Sequence, residues 1–414
     1  MKKLALLVLC DVVDRVGGTE SYLARVLPEL VRRNVDLTIA ARRVTDANAF
    51  GVAAHEIAWG SDDEPARPEA ARAVARLIAE RRPDVVMTSN VHDHLTIDAA
   101  RTAPRLIVRV HDHRLFCPQG DRQFPHVQQV CTHAMSTVTC ATNALLRGCA
   151  AGLSARTVQL VRSRQALRDA MLAADRFVVA SSFVADLCAV NGVLPQHIET
   201  IPPPFEGELL PAVRPRPARD RVLFAGRLVR DKGLKSLIES IARIPAAVRP
   251  ELAVAGTPTR DSNPLPALAA TKNVRLQMLG RLGPGALNAE IDASTCVAVP
   301  SLWPEPFGLM GIEAQARGRP VVAFDVGGIH EWMGAAGVLV PRGDVAAFAR
   351  GLRDVLDEDR WPVYAAAALR QSERYRLERH VGPLIEVLAG NANPLVERSV
   401  EDAGFDAVTL SSAS

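Results

Sequence analysis

The run Leu4-Ala5-Leu6-Leu7-Val8-Leu9-Cys10, followed after five residues by Val16-Gly17-Gly18-Thr19, decides the fold class. An apolar run without alternation suits a strand covered on both faces, as in a parallel sheet. The glycines make a tight turn, and Tyr22, Leu23, Val26, Leu27, Leu30 and Val31 then recur at helical spacing from a Thr19 cap. Strand, glycine-rich turn and helix open a βαβ unit. Met1-Lys2-Lys3 before the run imitates a signal peptide, but the run ends in Asp11 and Asp14 with no small-residue cleavage site, so it reads as a strand.

Beyond this unit, short apolar runs at 35–40, 84–88, 106–110 and 177–180 alternate with helical stretches such as 69–82, which describes a parallel α/β domain. Between 201 and 220 stand Pro202, Pro203, Pro204, Pro211, Pro215 and Pro217, a density incompatible with regular helix or central strand and suited to an interdomain linker. The alternation then restarts, with strands expected at 222–225, 252–255, 274–278, 296–299 and 321–324 and helices at 234–244 and 308–317. The 414 residues are 48% hydrophobic and 23% charged, enough for two or three globular domains, and no apolar run approaches the ~20 residues of a membrane span. A net charge of +3, from 49 basic and 46 acidic residues, excludes a dedicated nucleic-acid binder. Seven cysteines, an odd count, argue for a reducing cytoplasm rather than a disulfide framework.

Two α/β domains joined by a hinge place their carboxyl strand ends across a cleft, where open sheets bind nucleotides. The loop Gly226-Arg227-Leu228-Val229-Arg230-Asp231-Lys232-Gly233 follows a strand and carries a guanidinium and an ammonium that can close on one diphosphate. Only five of the basic residues are lysines, which makes Lys232 conspicuous; the plainer alternative is a solvated basic loop. In Pro304-Glu305-Pro306-Phe307-Gly308-Leu309, the amides of Phe307, Gly308 and Leu309 open a helix and can receive phosphate. Glu313, about one turn in, suits paired ribose hydroxyls, and Glu305 can reach sugar hydroxyls beyond the phosphates. The alternative for both glutamates is a pair of surface charges flanking the helix.

Taken in order, Gly17-Gly18, Gly226-Arg227 to Lys232-Gly233, Glu305 to Glu313, Gly327-Gly328 and Glu331 resemble the retaining glycosyltransferases of family 4, also called glycosyl transferases group 1. The resemblance implies the GT-B fold, two Rossmann-like domains facing across a cleft. Residues 1–205 would form an acceptor-side domain and 206–375 a nucleotide-sugar-binding domain. A helix at 376–390 would pack back on the first domain, and 391–414 would form a tail. It further implies that Arg227 and Lys232 bind the donor diphosphate, Glu313 the ribose, and Glu305 with the backbone of Phe307, Gly308 and Leu309 the transferred sugar and phosphate. Gly17 and Gly18 would close from the opposite domain, Arg281 would lie near the nucleobase, and His111 would approach the anomeric centre. The implied reaction moves a hexosyl or N-acetylhexosaminyl group from a nucleotide-sugar to a glycan or lipid-linked acceptor. It retains configuration and uses no metal or other cofactor, with the leaving phosphate taking the acceptor proton. A non-hydrolysing nucleotide-sugar epimerase and a catalytically silent nucleotide-sugar-binding scaffold are the alternatives. The one Asp-x-Asp pattern, Asp357-Glu358-Asp359, reads as solvated surface rather than a divalent-ion site.

Two features lie outside these motifs. Cys117, Cys131, Cys140 and Cys149 fall within 33 residues and can hold a structural zinc, although their spacing lacks a Cys-x2-Cys knuckle; buried thiols packing as small apolar groups, or disulfides, remain alternatives. Between 141 and 176, six arginines face two aspartates among Leu153, Val158, Val161, Leu167 and Met171. That stretch is either an ordinary domain helix or a means of peripheral association with the anionic inner face of a membrane.

Overall fold

The computed structural model describes residues 3–15, 17–61, 64–124, 129–149, 155–205, 207 and 209–391. Fifteen strands are described: β1 Ala5–Val13, β2 Asp36–Val44, β3 Ala54–Glu56, β4 Val85–Ser89, β5 Leu106–Arg109, β6 Gln123–Phe124, β7 Gln129–Val130, β8 Arg176–Val179, β9 Ile198–Thr200, β10 Arg221–Ala225, β11 Glu251–Ala255, β12 Leu276–Gly280, β13 Cys296–Val299, β14 Val321–Asp325 and β15 Gly337–Pro341. They form two parallel sheets, ordered β3-β2-β1-β4-β5-β8-β9 and β12-β11-β10-β13-β14-β15, and an antiparallel pair, β6 with β7.

The apolar runs become strands because both sheet faces are covered. In β1, Leu7 and Leu9 enter one core while Leu6, Val8 and Cys10 enter the other. In β10, Val222 and Phe224 pack on one side and Leu223 on the other. Alternate residues serve opposite faces, so the sequence loses the polar alternation of a half-exposed sheet. The helix Gly18–Arg32 begins with Gly17 as its N-cap, not Thr19. The Thr19 hydroxyl instead accepts from Asn90 Nδ2 at 2.9 Å, and Gly17, at φ 119°, supplies a backbone conformation that a residue with a Cβ rarely adopts.

Strands β3, β9 and β15, the edges that sequence patterning misses, are short or half-buried, and such segments carry little periodic signal. The proline-rich connection from Pro202 to Pro217 contains no helix or strand among its described residues. Asp357, Glu358 and Asp359 are exposed, and Asp357 Oδ1 accepts from the amides of Asp359 and Arg360, a turn rather than a cation site.

No helix among the described residues is long and apolar enough to cross a membrane. The arginines between 141 and 176 do not share one exposed face: Arg164 is buried, Arg168 donates to the Met135 carbonyl, and Arg176 stands 3.8 Å from Glu199. Leu153 and the side chain of Arg156, counted in that stretch, lie outside the described residues, as does the tail from 392 onward.

The helix Leu377–Ala389 crosses back to the first domain, where Val381, Leu384, Val387 and Leu388 share a core with Leu23, Val26 and Leu27. Its His380 accepts from the Tyr22 hydroxyl at 2.8 Å and donates from Nδ1 to the Pro202 carbonyl at 2.7 Å; a carbonyl only accepts, which sets the tautomer. Leu384→Ala is expected to destabilise the chain by about 2–5 kcal/mol through the cavity it leaves, read as a lower urea midpoint at unchanged slope.

Candidate functional site

Gly17 follows β1, Ser89 ends β4 and His111 lies just beyond β5, and these three strands are adjacent in the first sheet. Sheet order therefore gathers three turns at one carboxyl edge. The second sheet does the same with Gly226 and Arg227 after β10, Arg281 after β12, Glu305 after β13 and Gly327 after β14.

These edges meet. His113 Nε2 donates to the Pro304 carbonyl at 2.6 Å and Ser181 Oγ to that of Pro306 at 2.6 Å, so the first domain grips both residues flanking Glu305. Glu331 of the second domain accepts from the Ser182 amide at 2.5 Å and its hydroxyl at 2.7 Å, at the start of the helix Ser182–Val190. A carboxylate there meets unpaired amides and the positive end of the helix dipole.

The loop holding Glu305 is shaped from within its own domain. Glu305 bridges to Gly327, whose φ is +65° and where a Cβ would lie 2.3 Å from the Glu305 carbonyl oxygen. Trp332 Nε1 donates to the Phe307 carbonyl at 2.6 Å, and its ring packs where a Cβ on Gly311 would stand 2.1 Å away. These contacts aim the start of the helix Leu309–Ala316, with Phe307 buried and Gly308 and Leu309 half-buried at its mouth.

The structure brings Lys232 and Glu305 together: Nζ lies 2.5 Å from Oε1, and the ammonium sits 5.1 Å above the Trp303 ring. Glu305 is therefore no exposed helix-flanking charge, being only 7% exposed. Arg227 is exposed on the same loop, within electrostatic reach of Asp121 of the first domain, whose carboxyl is pushed up by burial and by Asp231 against the opposing pull of Arg227. Glu313 stands 3.5 Å from Arg25 of the first domain, whose guanidinium also donates to the Pro204 carbonyl at 2.8 Å. Arg281 is exposed beyond the edge strand β12.

His111 does not pair with Asp112. It hydrogen-bonds Ser89 Oγ at 2.7 Å and stacks edge-on against Tyr22 at 5.1 Å, while Asp112 accepts from the Arg114 amide. Burial, then the positive charge of Arg109 and the neighbouring His380, hold His111 well below the ordinary histidine range, so its imidazole is neutral near pH 7. Arg109 is 2% exposed, lies over the Tyr22 ring at 4.8 Å and donates to the Ile201 carbonyl at 3.0 Å.

Sequence reasoning missed Ser89, Arg25, His113, Ser181 and Trp303. Arg25 carried a faint signal, a cation inside the apolar stretch Leu23 to Leu27; the rest carried none, because their roles come from residues distant in the chain. The four cysteines Cys117, Cys131, Cys140 and Cys149 are free thiols set apart from Lys232 and Glu305 on the connection between β5 and β8.

The family model described as Glycosyltransferase Family 4 matches residues 16–208, and that described as Glycosyl transferases group 1 matches residues 219–358. Among curated proteins, D-inositol 3-phosphate glycosyltransferase 1 of Catenulispora acidiphila is 33% identical over 241 residues, covering 52% of this chain and 57% of that protein. Glycogen synthase of Mycobacterium tuberculosis is 32% identical over 165 residues, covering 39% of each. The chain thus spans between 39% and 57% of the length of these relatives. Among solved structures, a glycosyltransferase from Rickettsia africae aligns over 94% of this chain and 99% of its own, with a TM-score of 0.71 at 16% identity. HepE of Anabaena, solved in complex with UDP, aligns over 93% and 99% with a TM-score of 0.69 at 17% identity. At that identity the likeness shows the fold, two Rossmann-like domains in the GT-B arrangement.

Three desolvated histidines give the chain an acid limit. Burial holds His113 at about 4 and His380 at about 3, with His111 also lowered. Their unfolded counterparts protonate near 6.5, so below that pH the unfolded state binds more protons and stability falls. Each contributes a loss of about 1.4 kcal/mol per pH unit until its folded value is reached. Thermal scans from pH 7 to pH 4 should show a falling melting temperature, and His380→Gln should flatten the slope.

Proposed function

Because the chain belongs to the family-4 glycosyltransferases of GT-B fold, we propose that it transfers a hexosyl or N-acetylhexosaminyl group from a nucleotide-diphosphate sugar to a glycan or lipid-linked acceptor, with retention of configuration. The observation that carries this reading is the Lys232–Glu305 pair at the carboxyl edge of the second sheet, beneath a loop gripped by His113 and Ser181 of the first. HepE of Anabaena, similar in fold, has been solved with UDP-glucose, which makes UDP-sugars the first donors to test.

Bound donor would exchange one set of partners for another. Lys232 and Arg227 neutralise the diphosphate as it departs, and the amides opening the helix Leu309–Ala316 receive phosphate oxygens. Glu305, released from Lys232, accepts from sugar hydroxyls, and Glu313 does so from the ribose while Arg25 holds its other side. Arg281 flanks the base, and Gly17 and Gly18 leave room for the donor from the opposite domain. The bond between the anomeric carbon and the phosphate oxygen breaks as the bond to the acceptor oxygen forms on the same face. The acceptor proton passes to the leaving phosphate. Neutral His111 adds no positive charge beside the developing oxocarbenium and would hydrogen-bond the sugar.

Cationic side chains and a helix N-terminus supply charge that a divalent ion would otherwise supply, so transfer needs no metal at the reacting atoms. Lys232→Ala should lower turnover on the order of a hundredfold while the folded spectrum persists. Radiolabelled transfer from a donor panel, with and without EDTA, reads both points. A folded Lys232→Ala protein at full activity would overturn this reading, as would an EDTA-abolished reaction rescued by magnesium or manganese. Product analysis separates transfer from epimerisation, and donor turnover separates it from silent binding.

A further inference from the structure

Between β5 and β8 the chain makes an excursion that transfer chemistry leaves unexplained. Cys117 opens a turn closed by a hydrogen bond from the Gly120 amide to its carbonyl at 3.0 Å, and the amides of Gln119, Asp121 and Arg122 point at its sulfur. Cys131 follows β7, its own amide donating to the Arg122 carbonyl at 2.7 Å. Cys140 lies in the helix Thr137–Arg147, capped by Ser136, and Cys149 follows Gly148, which closes that helix in the left-handed conformation. A turn, a hairpin end and both ends of a helix thus bring four cysteines to the lining of one cavity of about 40 Å³.

Two further observations point to a ligand there. Arg122 is 4% exposed and faces Cys117 and Cys140; its Nη1 donates to the carbonyls of Phe116 and His133, and its buried Nε has no hydrogen-bond partner among the described residues. A buried guanidinium needs an anion, and its surroundings on this side are thiols. Among the described residues from 117 to 149, no buried residue belongs to the four hydrophobic cores: Phe124, Met135 and Ala144 are buried outside them and Val138, Leu145 and Leu146 are exposed, whereas Leu115, Phe116, Leu167 and Met171 to either side join the first domain's core. Small units that cannot bury enough apolar surface are commonly held by a metal or by disulfides.

We propose that Cys117, Cys131, Cys140 and Cys149 form a four-thiolate zinc site that staples this excursion to the first domain. Among the described residues, no three His, Cys, Asp or Glu residues are already arranged to hold a metal ion, so binding requires the four side chains to turn onto the cavity they share. A cavity of this size suits a single ion rather than a polynuclear cluster. On binding, each thiol loses its proton to water and its sulfur lone pair forms the bond to zinc, with no change of oxidation state. Four thiolates around a divalent ion leave two negative charges, which Arg122 partly offsets, and the amides at Cys117 supply the hydrogen bonds that metal-bound sulfur accepts. The staple would hold Gln123 in place to accept from Arg342 Nη2 at 2.8 Å, across to the second domain.

The test is metal analysis of the full chain, purified without a metal-affinity step, reduced, incubated with zinc and dialysed against metal-free buffer. About one zinc per chain is expected, released when a mercurial titrates the thiols. The Cys140→Ser, Cys149→Ser double variant should lose it, and Cys296→Ala, altered in the other domain's β13, should keep it. A wild-type chain that retains no zinc overturns the proposal whether or not the variants fold. Zinc retained by the double variant, or iron with inorganic sulfide in its place, overturns it equally.

Discussion

Two proline carbonyls, those of Pro304 and Pro306, tie the molecule together. Each sheet has its own core on both faces, and these carbonyls join the two carboxyl edges beside the linker, the returning helix Leu377–Ala389 and the pairs Glu331–Ser182, Glu313–Arg25 and Arg342–Gln123. The prolines have no N–H and restrict the residues before them to extended backbone, so the segment stays out of the following helix and turns its carbonyls to the other domain. His113, buried and neutral, donates to one, and Ser181 donates to the other. Glu305 sits between them and is aimed by the same contacts.

That geometry explains the electrostatics of the cleft. Each glutamate of the pair is met by a cation, Glu305 by Lys232 of its own domain and Glu313 by Arg25 of the other. Removing one member of so buried a pair leaves an uncompensated charge, whereas a ligand bearing both phosphate and hydroxyls satisfies both members at once. The arrangement therefore favours a donor that is anionic at one end and rich in hydroxyls at the other.

The first domain contributes positioning and neutrality. Arg109 lies over the Tyr22 ring and beside His111, with no carboxylate hydrogen-bonded to it among the described residues, and His380 reaches the same cluster from the far end of the chain. The buried Arg109 cation disfavours protonation of both imidazoles, while the C-terminal helix reaches the cluster through packing and the neutral His380.

How much was legible follows from the range of each interaction. Continuous apolar runs, glycine turns and a cluster of prolines are local facts, and they determined two parallel α/β domains, the linker and the loops that carry Arg227, Lys232, Glu305 and Glu313. Which side chains meet depends on strand order, which pairing in three dimensions decides. Lys232 and Glu305 are 73 residues apart and Arg25 and Glu313 are 288 apart. His111 has an aspartate as its chain neighbour, yet its partner is Ser89, because β4 and β5 lie side by side and their ends are closer than successive side chains on one strand end, which point to opposite faces. Backbone preference and burial, both local, thus set the elements and the turns between them, while the adjacency of strand ends in three dimensions set the partners.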